Sequence, residues 1–452
     1  MEPIGFKQTV IAGLANDGGL IIPAKIPAIA DRMHAWDKLS YQELAFEIMR
    51  LYTTDMPDDD LRELVARGYA NFDHPAIAPV IKQDDIYIQE LFHGPTLAFK
   101  DIALQLLGNF FSHILNKEQS QLNILAATSG DTGSAAIQGV HGRENINIFV
   151  MHPHNRVSPL QEMQMTTVLD DNVFNLAIKG SFDDCQEIMK SIFRDVEFKQ
   201  EYSLGSVNSV NWARVLAQIV YYFHAYFRVA EQTGADKVQF AVPTGNFGNI
   251  LAGYYAARMG LPIERLILAT NENNILSRFF NSGEYSIGDV VPTLSPSMDI
   301  QVASNFERYL FYTLGQDSAR LNALMDEFRQ TGKIKTPLTS SGRADDLFLA
   351  GEASRKDTLA TIRDCHERFD YVPDPHTAVG IHVARQLRNP DIPAICIATA
   401  HPAKFNAAIK EAIGREARHP RLDKLQALPT RKEILPADET AVREYIAEKL
   451  KF

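Results

Sequence analysis

Cysteine is scarce in this chain: three in 452 residues, Cys185, Cys365 and Cys396, far apart and without metal-ligand spacing. That pattern excludes a disulfide framework and a zinc site. An excess of positive charge is missing too. Lys and Arg number 45 against 56 Asp and Glu, a formal net charge of -11, which argues against nucleic acid or an anionic membrane as main partner. A small anionic ligand is not excluded, since it needs only a local cluster of donors. Long apolar runs are also lacking. The most apolar stretches, such as Leu216 to Ala230, are broken by Gln218, His224 and Arg228, so no membrane span is expected. The start of the chain lacks the charged, apolar, small-residue order of a signal peptide, and a cytoplasmic location is expected. There is no internal repeat and no low-complexity tract.

What is present is the composition of a globular protein, 45% hydrophobic and 22% charged, long enough for two or three lobes. To about residue 80 the chain reads as a loop with a turn at Asn16-Asp17-Gly18-Gly19, then helices rich in acids. From Ile86 short apolar runs alternate with helix-length segments: Ile86–Leu91, Leu122–Ala127, Ile146–Met151, Phe174–Ile178, Val238–Pro243, Leu266–Thr270 and Ala394–Ala398. That alternation predicts α/β architecture with mainly parallel sheets covered on both faces. Asp289 to Arg308 and Thr331 to Ala344 are rich in Ser, Thr, Pro and Gly and read as loops over a site. Ala344 to Arg368 reads as a helical pair, and the tail after Pro429 as charged, helical and peripheral.

Lys100 is the unusual residue. As a helix, Phe99 to Leu115 puts Lys100, Leu104, Leu107 and Phe111 on one stripe, with Asp101, Gln105, Asn109 and Ser112 on another side. The ammonium is expected to point inward. A desolvated lysine loses its proton or finds an anion, and such an amine is suited to forming a Schiff base. The bland alternative is a lysine that snorkels back to water.

Two glycine loops add to it. Strand Val238–Val242 runs into Pro243-Thr244-Gly245-Asn246-Phe247-Gly248-Asn249 and then a helix closed by Gly260. Backbone N–H groups at such a turn converge on an anion, and Gly248 is expected where backbone approaches phosphate and φ is positive. The spacing is neither G-x-G-x-x-G nor a P-loop, so nucleotide fingerprints do not apply. A second loop, Thr128-Ser129-Gly130-Asp131-Thr132-Gly133-Ser134, opens another helix and suits a carboxylate or phosphate. Each loop alone also reads as a tight turn with packing glycines or a capped helix. Together with Lys100 they suggest an aldehyde cofactor with a phosphate tail, pyridoxal phosphate, and an amino-acid substrate.

The segment Leu91-Phe92-His93-Gly94-Pro95-Thr96-Leu97-Ala98-Phe99-Lys100-Asp101 closely resembles the cofactor-lysine segment of threonine synthases, in the fold type II group of pyridoxal phosphate enzymes. Thr128 to Ser134 resembles that family's substrate-carboxylate loop and Gly245 to Asn249 its cofactor-phosphate loop. Further matches are Arg156-Val157-Ser158-Pro159, Asn208 to Arg214, Ser295 to Ile300, Ser304 to Arg308, Asp374-Pro375-His376-Thr377-Ala378 and Thr399 to Phe405. The similarity runs in order from about Gly13 to the end, to the bacterial and fungal branch with an additional N-terminal domain. The tyrosine- and arginine-containing run expected before Gly13 is not matched. Asp131 stands where the wider fold type II group carries asparagine, and marks the branch.

The resemblance implies two open, mainly parallel twisted sheets flanked by helices, plus a small, mostly helical N-terminal domain. Its domains would be 1–85, then 86–103 with 236–452 as the larger cofactor domain, and 104–235 as the smaller. It implies conversion of O-phospho-L-homoserine and water to L-threonine and phosphate. Lys100 would hold the cofactor and then move protons. Gly245, Asn246, Phe247, Gly248 and Asn249 would hold its phosphate, and Thr399 would offer a hydroxyl to its ring nitrogen. Ser129, Gly130, Asp131 and Thr132 would receive the substrate carboxylate or its neighbours, with Arg156, Ser158 and Lys404 as candidates for the substrate phosphate. His93 and His376 read as either general acids or hydrogen-bonded structural histidines and stay outside the catalytic set. Asp299 and Glu272 are expected to line the cleft. Two alternatives stay open: a phospho-lyase on the same substrate that releases 2-oxobutyrate, and a non-catalytic cofactor-binding protein.

Overall fold

A computed structural model describes residues 3–15 and 17–450. Its larger sheet has six strands in the order Val80–Gln83, Ile86–Glu90, Ala394–Ala398, Val238–Pro243, Ile263–Thr270, Phe348–Glu352. All neighbours run parallel except the edge pair Val80–Gln83 and Ile86–Glu90. The second sheet, five strands all parallel, runs Glu433–Pro436, Val173–Lys179, Ile146–Pro153, Leu122–Ala127, Leu204–Gly205. Helices cover both, and Tyr41–Met49 and Asp58–Tyr69 give the N-terminal region its helical character. Val238–Pro243 and Ala394–Ala398 are buried at every position, so apart from Gln239 their sequences read as apolar runs and not as alternation.

Some segments differ from the sequence reading. Ala344 to Arg368 is not a helical pair. It holds the strand Phe348–Glu352, paired with Ile263–Thr270, and then one helix, Arg355–Phe369, started by a Ser354–Asp357 capping box. The tail is not peripheral: Glu433–Pro436 is a sheet edge, and Val442 and Ile446 of the last helix are fully buried. Thr331 to Ala344 contains a short strand, Lys333–Lys335, paired with Glu284–Ser286. In the N-terminal turn, Ala15 and Gly18–Gly19 close on each other by backbone bonds of 2.9 and 3.0 Å, while Asn16 lies outside the described residues.

The helix Lys100–Glu118 is enclosed on nearly every side, so Asp101, Gln105 and Asn109 are buried along with the apolar stripe. It crosses the helix Asp131–Val140 at two glycines. A Cβ on Gly108 would stand 1.9 Å from the carbonyl oxygen of Gly139, and one on Gly139 would stand 2.5 Å from that of Leu104. Only glycine lets the two backbones meet there. The N-terminal ends of both helices, with Lys100 and Asp131, open on the same crevice beyond the carboxyl ends of the strands, where open α/β sheets bind ligands.

Candidate active site

The segment carrying Lys100 is fastened to the end of the neighbouring strand. Leu91 donates to Ala398 O at 3.0 Å, Phe99 to Thr399 O at 2.8 Å, and His401 to Leu97 O at 3.1 Å. Asp101 closes the segment on itself by accepting from the backbone and hydroxyl of Thr96, both at 2.8 Å. A Cβ on Gly94 would meet the Asp101 side chain at 2.4 Å, so glycine is required there. Burial pushes the Asp101 carboxyl up to about 6.

The Lys100 side chain is only 11% exposed, and its Nζ donates to Asp131 Oδ2 at 3.4 Å and Ser297 Oγ at 3.5 Å. Burial lowers the proton affinity of its amine; Asp131 works against that, and Lys404 and Arg214 reinforce it. Asp131 also accepts from Lys404 Nζ at 2.9 Å and Gln161 Nε2 at 2.8 Å. Burial opposes ionisation of Asp131, yet Lys404 and Lys100, with the hydrogen bond from Gln161, hold it well below the usual carboxylate range. Lys404 donates as well to Thr96 O at 2.7 Å. The lysine placed by sequence among the phosphate candidates is thus the counter-ion of Asp131.

Across the cavity, the turn after Val238–Pro243 leads into the helix Gly248–Met259. The N–H groups of Gly245, Asn246, Gly248 and Asn249 find no acceptor among the described residues. The positive φ expected at Gly248 falls on Phe247, at 64°. The ring of Phe247 is sunk among Phe280, Phe306, Tyr309 and Phe348, and this anchor holds the backbone in that left-handed conformation. A Cβ on Gly245 would meet Ser297 O at 2.5 Å, so the turn at Pro296–Met298 lies directly against the loop. Asn249 Oδ1 accepts from Tyr221 and Tyr222 hydroxyls at 2.6 and 2.8 Å.

One cavity is lined by Lys100, Asp131, Thr132, the whole run Gly245 to Asn249, and Thr399. The Thr399 hydroxyl is buried and without a hydrogen-bond partner. An amine, a nest of free amides and an orphaned hydroxyl in one cavity match the aldehyde, phosphate and ring nitrogen of pyridoxal phosphate.

Of the other predicted residues, Gly130 is buried against Gln161 and Ser129 is exposed; neither lines the cavity. Arg156 is exposed and outside it. Ser158 caps the helix Pro159–Thr166 through Gln161. Asp299 accepts from Asn271, Asn273 and Thr293 and Glu272 from the Arg355 backbone, so both brace surrounding loops instead of lining the cleft. His93 pairs with Glu90 at 2.9 Å. Sequence reasoning missed Arg214 and Ser297. Arg214 is 4% exposed, lines the cavity, and bonds Val207 O at 2.9 Å while its Nε has no partner. Burial lowers its pKa to about 10. Its place in the matching segment Asn208 to Arg214 and the inward periodicity of its helix, Trp212–Thr233, were the signals that could have singled it out.

Family models describe three stretches: threonine synthase N terminus over residues 1–69, pyridoxal-phosphate dependent enzyme over 72–322, and threonine synthase C-terminal over 377–446. The threonine synthase of Saccharomyces cerevisiae is 43% identical, covering 99% of this chain and 96% of its own. That of Pseudomonas aeruginosa is 44% identical over 98% and 96%. The crystal structure of a pyridoxal phosphate-bound threonine synthase from Brucella melitensis superimposes with a TM-score of 0.95 at 43% identity, over 99% of this chain and 97% of that one.

Proposed function

The chain belongs to the threonine synthase family of pyridoxal phosphate-dependent enzymes, and we propose that it converts O-phospho-L-homoserine and water to L-threonine and phosphate. The observation that supports this most directly is that Lys100, the free amides of Gly245, Asn246, Gly248 and Asn249 and the free hydroxyl of Thr399 share one cavity. When bound, pyridoxal phosphate supplies a conjugated ring that accepts electrons from the substrate carbons.

The protein's part follows from the geometry. Gly245, Asn246, Gly248 and Asn249 hold the cofactor phosphate with backbone donors, and Phe247 keeps them aimed. Thr399 would offer the ring nitrogen a neutral hydroxyl in place of a carboxylate, a partner that would suit elimination chemistry. Lys100 would hold the cofactor aldehyde, and its free amine would move protons at the α, β and γ carbons of the substrate. Burial, reinforced by Lys404 and Arg214, lowers its proton affinity and so favours the free amine that a base needs. Thr132 and the amides at the start of the helix Asp131–Val140 receive the substrate carboxylate, with Asp131 held in place by Lys404. We assign the substrate phosphate to Arg214, the guanidinium in the cavity wall that no carboxylate matches, in the role expected for Arg156 and Ser158.

Among the described residues no helix is long and apolar enough to cross a membrane. The three cysteines are free and buried, which supports the reducing, cytoplasmic setting we also propose.

Incubating the purified protein with O-phosphohomoserine is expected to release threonine and phosphate in equal amounts. Release of 2-oxobutyrate in place of threonine would replace this reading with the phospho-lyase. Arg214→Ala is expected to cost roughly 2–5 kcal/mol in kcat/KM with this substrate, because a buried dianion is left without its partner.

A further inference from the structure

One buried motif reaches the cavity from behind and has no part in the assignments above: Asp374-Pro375-His376-Thr377. Asp374 is fully buried and divides its two oxygens. Oδ1 accepts from His376 Nδ1 at 2.8 Å and from the His376 backbone at 3.0 Å. Oδ2 accepts from the Thr377 hydroxyl and from the Thr377 backbone at 3.3 Å. Each side chain then reaches on. His376 Nε2 accepts from the backbone N–H of Ser297 at 3.3 Å, and Ser297 Oγ accepts from Lys100 Nζ at 3.5 Å. Thr377 Oγ1 accepts from the backbone N–H of Thr399 at 3.2 Å. Donation at Nδ1 and acceptance at Nε2 fix His376 as the neutral imidazole with its proton on Nδ1.

We propose that Asp374 is a positioning residue for both ends of the reaction centre at once. Through His376 and Ser297 it aims the Lys100 amine, and through Thr377 it sets the depth of the Thr399 hydroxyl. The proposal rests on Lys100 being the cofactor's lysine. Ser297 sits in a turn of three residues whose carbonyl already presses on Gly245, so a small shift there is felt by the amine and the phosphate loop together. Asp374 also caps the helix Pro375–Leu387 through backbone donors alone, and that cap survives loss of the imidazole. The ring is therefore open to mutation without unpicking the helix.

The test compares His376→Leu, His376→Gln, Ser297→Ala and the Ser297/His376→Leu double variant. His376→Leu and Ser297→Ala are each expected to lower kcat by about 10- to 100-fold with KM little changed, as misplacement of a reacting group does. The double variant should be no slower than the worse single, and His376→Gln, whose Oε1 can still accept from Ser297, should recover most of the loss. Two further readouts do not depend on turnover. Nitrogen NMR of the cofactor-free protein should find the His376 proton on Nδ1. Adding pyridoxal phosphate to cofactor-free His376→Leu should produce the visible band more slowly, while final cofactor affinity stays near wild type. Thr377→Val should shift the band maximum without slowing its appearance. Additive losses in the double variant, a proton on Nε2, or an equal fall in cofactor affinity would make His376 merely structural and overturn the first arm. An unshifted band in Thr377→Val would overturn the second. Failure of borohydride to trap the cofactor on wild-type Lys100 would instead overturn the proposed function.

Discussion

The turn after Val238–Pro243 and the turn after Leu122–Ala127 both pass from a parallel strand into a helix, each through two glycines, and they face the same cavity. Their electrostatics differ. At Gly245, Asn246, Gly248 and Asn249 the donors are neutral amides with no acceptor among the described residues, while Phe247 N–H turns back to Gly245 O at 2.7 Å. At Thr128 to Ser134 the Thr128 hydroxyl accepts from Gly130 and Gly133 at 3.0 and 2.9 Å, and the Asp131 carboxylate is matched by Lys404 and Lys100. A nest without an internal counter-ion holds a permanent anion and has nothing to displace. A loop already neutralised can take an anion only by sharing a lysine, an amide or a glutamine, which suits a ligand that must leave after each turnover. In the proposed function this difference in how the charge is met would separate the cofactor from the substrate.

The hardest blow to the comparison is Lys100→Ala. Turnover is expected to fall by about three orders of magnitude or more, since base and covalent anchor leave together. Equilibrium dialysis should still find cofactor on the neutral loop; if none remains, that loop is not an independent holder. Asp131→Asn comes next. It leaves Lys100 and Lys404 facing each other without their carboxylate, and should cost ~3 kcal/mol of unfolding free energy at neutral pH. The carboxyl titrates lower in the folded than in the unfolded chain, so its contribution is present above about pH 4 and lost as pH falls below it. Denaturation midpoints followed downward through that range should therefore fall less in the variant than in wild type.

Gly245→Ala is a smaller perturbation of the neutral loop. Its new methyl meets a backbone oxygen 2.5 Å away, and cofactor affinity should weaken about tenfold, or ~1.4 kcal/mol, in a direct titration. Gly248→Val adds its bulk against the Asn305 side chain at 3.3 Å and should weaken affinity less. The smallest effect is expected from Arg156→Ala, within ~0.5 kcal/mol in kcat/KM, because the residue is exposed and outside the cavity. A large loss there would bring the segment Arg156–Ser158 into the substrate site and sharpen the charged side of the comparison.

Much of this was readable in advance, for a definite reason. Lys100, Asp131 and the run Gly245 to Asn249 sit in contiguous motifs at strand ends, where sequence neighbours are also neighbours in the site. Ser297 approaches Lys100 across 197 residues, and its segment Ser295 to Ile300 reads only as a loop over a site without naming that contact. Arg156, a phosphate candidate by resemblance, is exposed and does not line the cavity. Lys404, a phosphate candidate by resemblance, pairs with Asp131, a partner that only tertiary packing decides. The strand Phe348–Glu352 was hidden because five residues with a glycine carry too little alternation to stand out from the helix that follows. His401 also shows what pattern alone conceals, since its burial and its neighbour His419 hold its pKa down to about 4.

The glycine crossing of Gly108 and Gly139 has a consequence for how the centre is spaced. Each glycine lies eight residues along its helix from a site residue, Lys100 in one case and Asp131 in the other, or about 12 Å at 1.5 Å per residue. The two helices thus behave as the arms of a pair of callipers, hinged at the glycines and reading 3.4 Å at the tips. A methyl group inserted at the hinge would spread the tips before it disturbed any residue of the site itself, and the amine and carboxylate would part while every motif remained intact. A protein altered there would keep its recognisable sequence and its fold and lose the setting of its instrument.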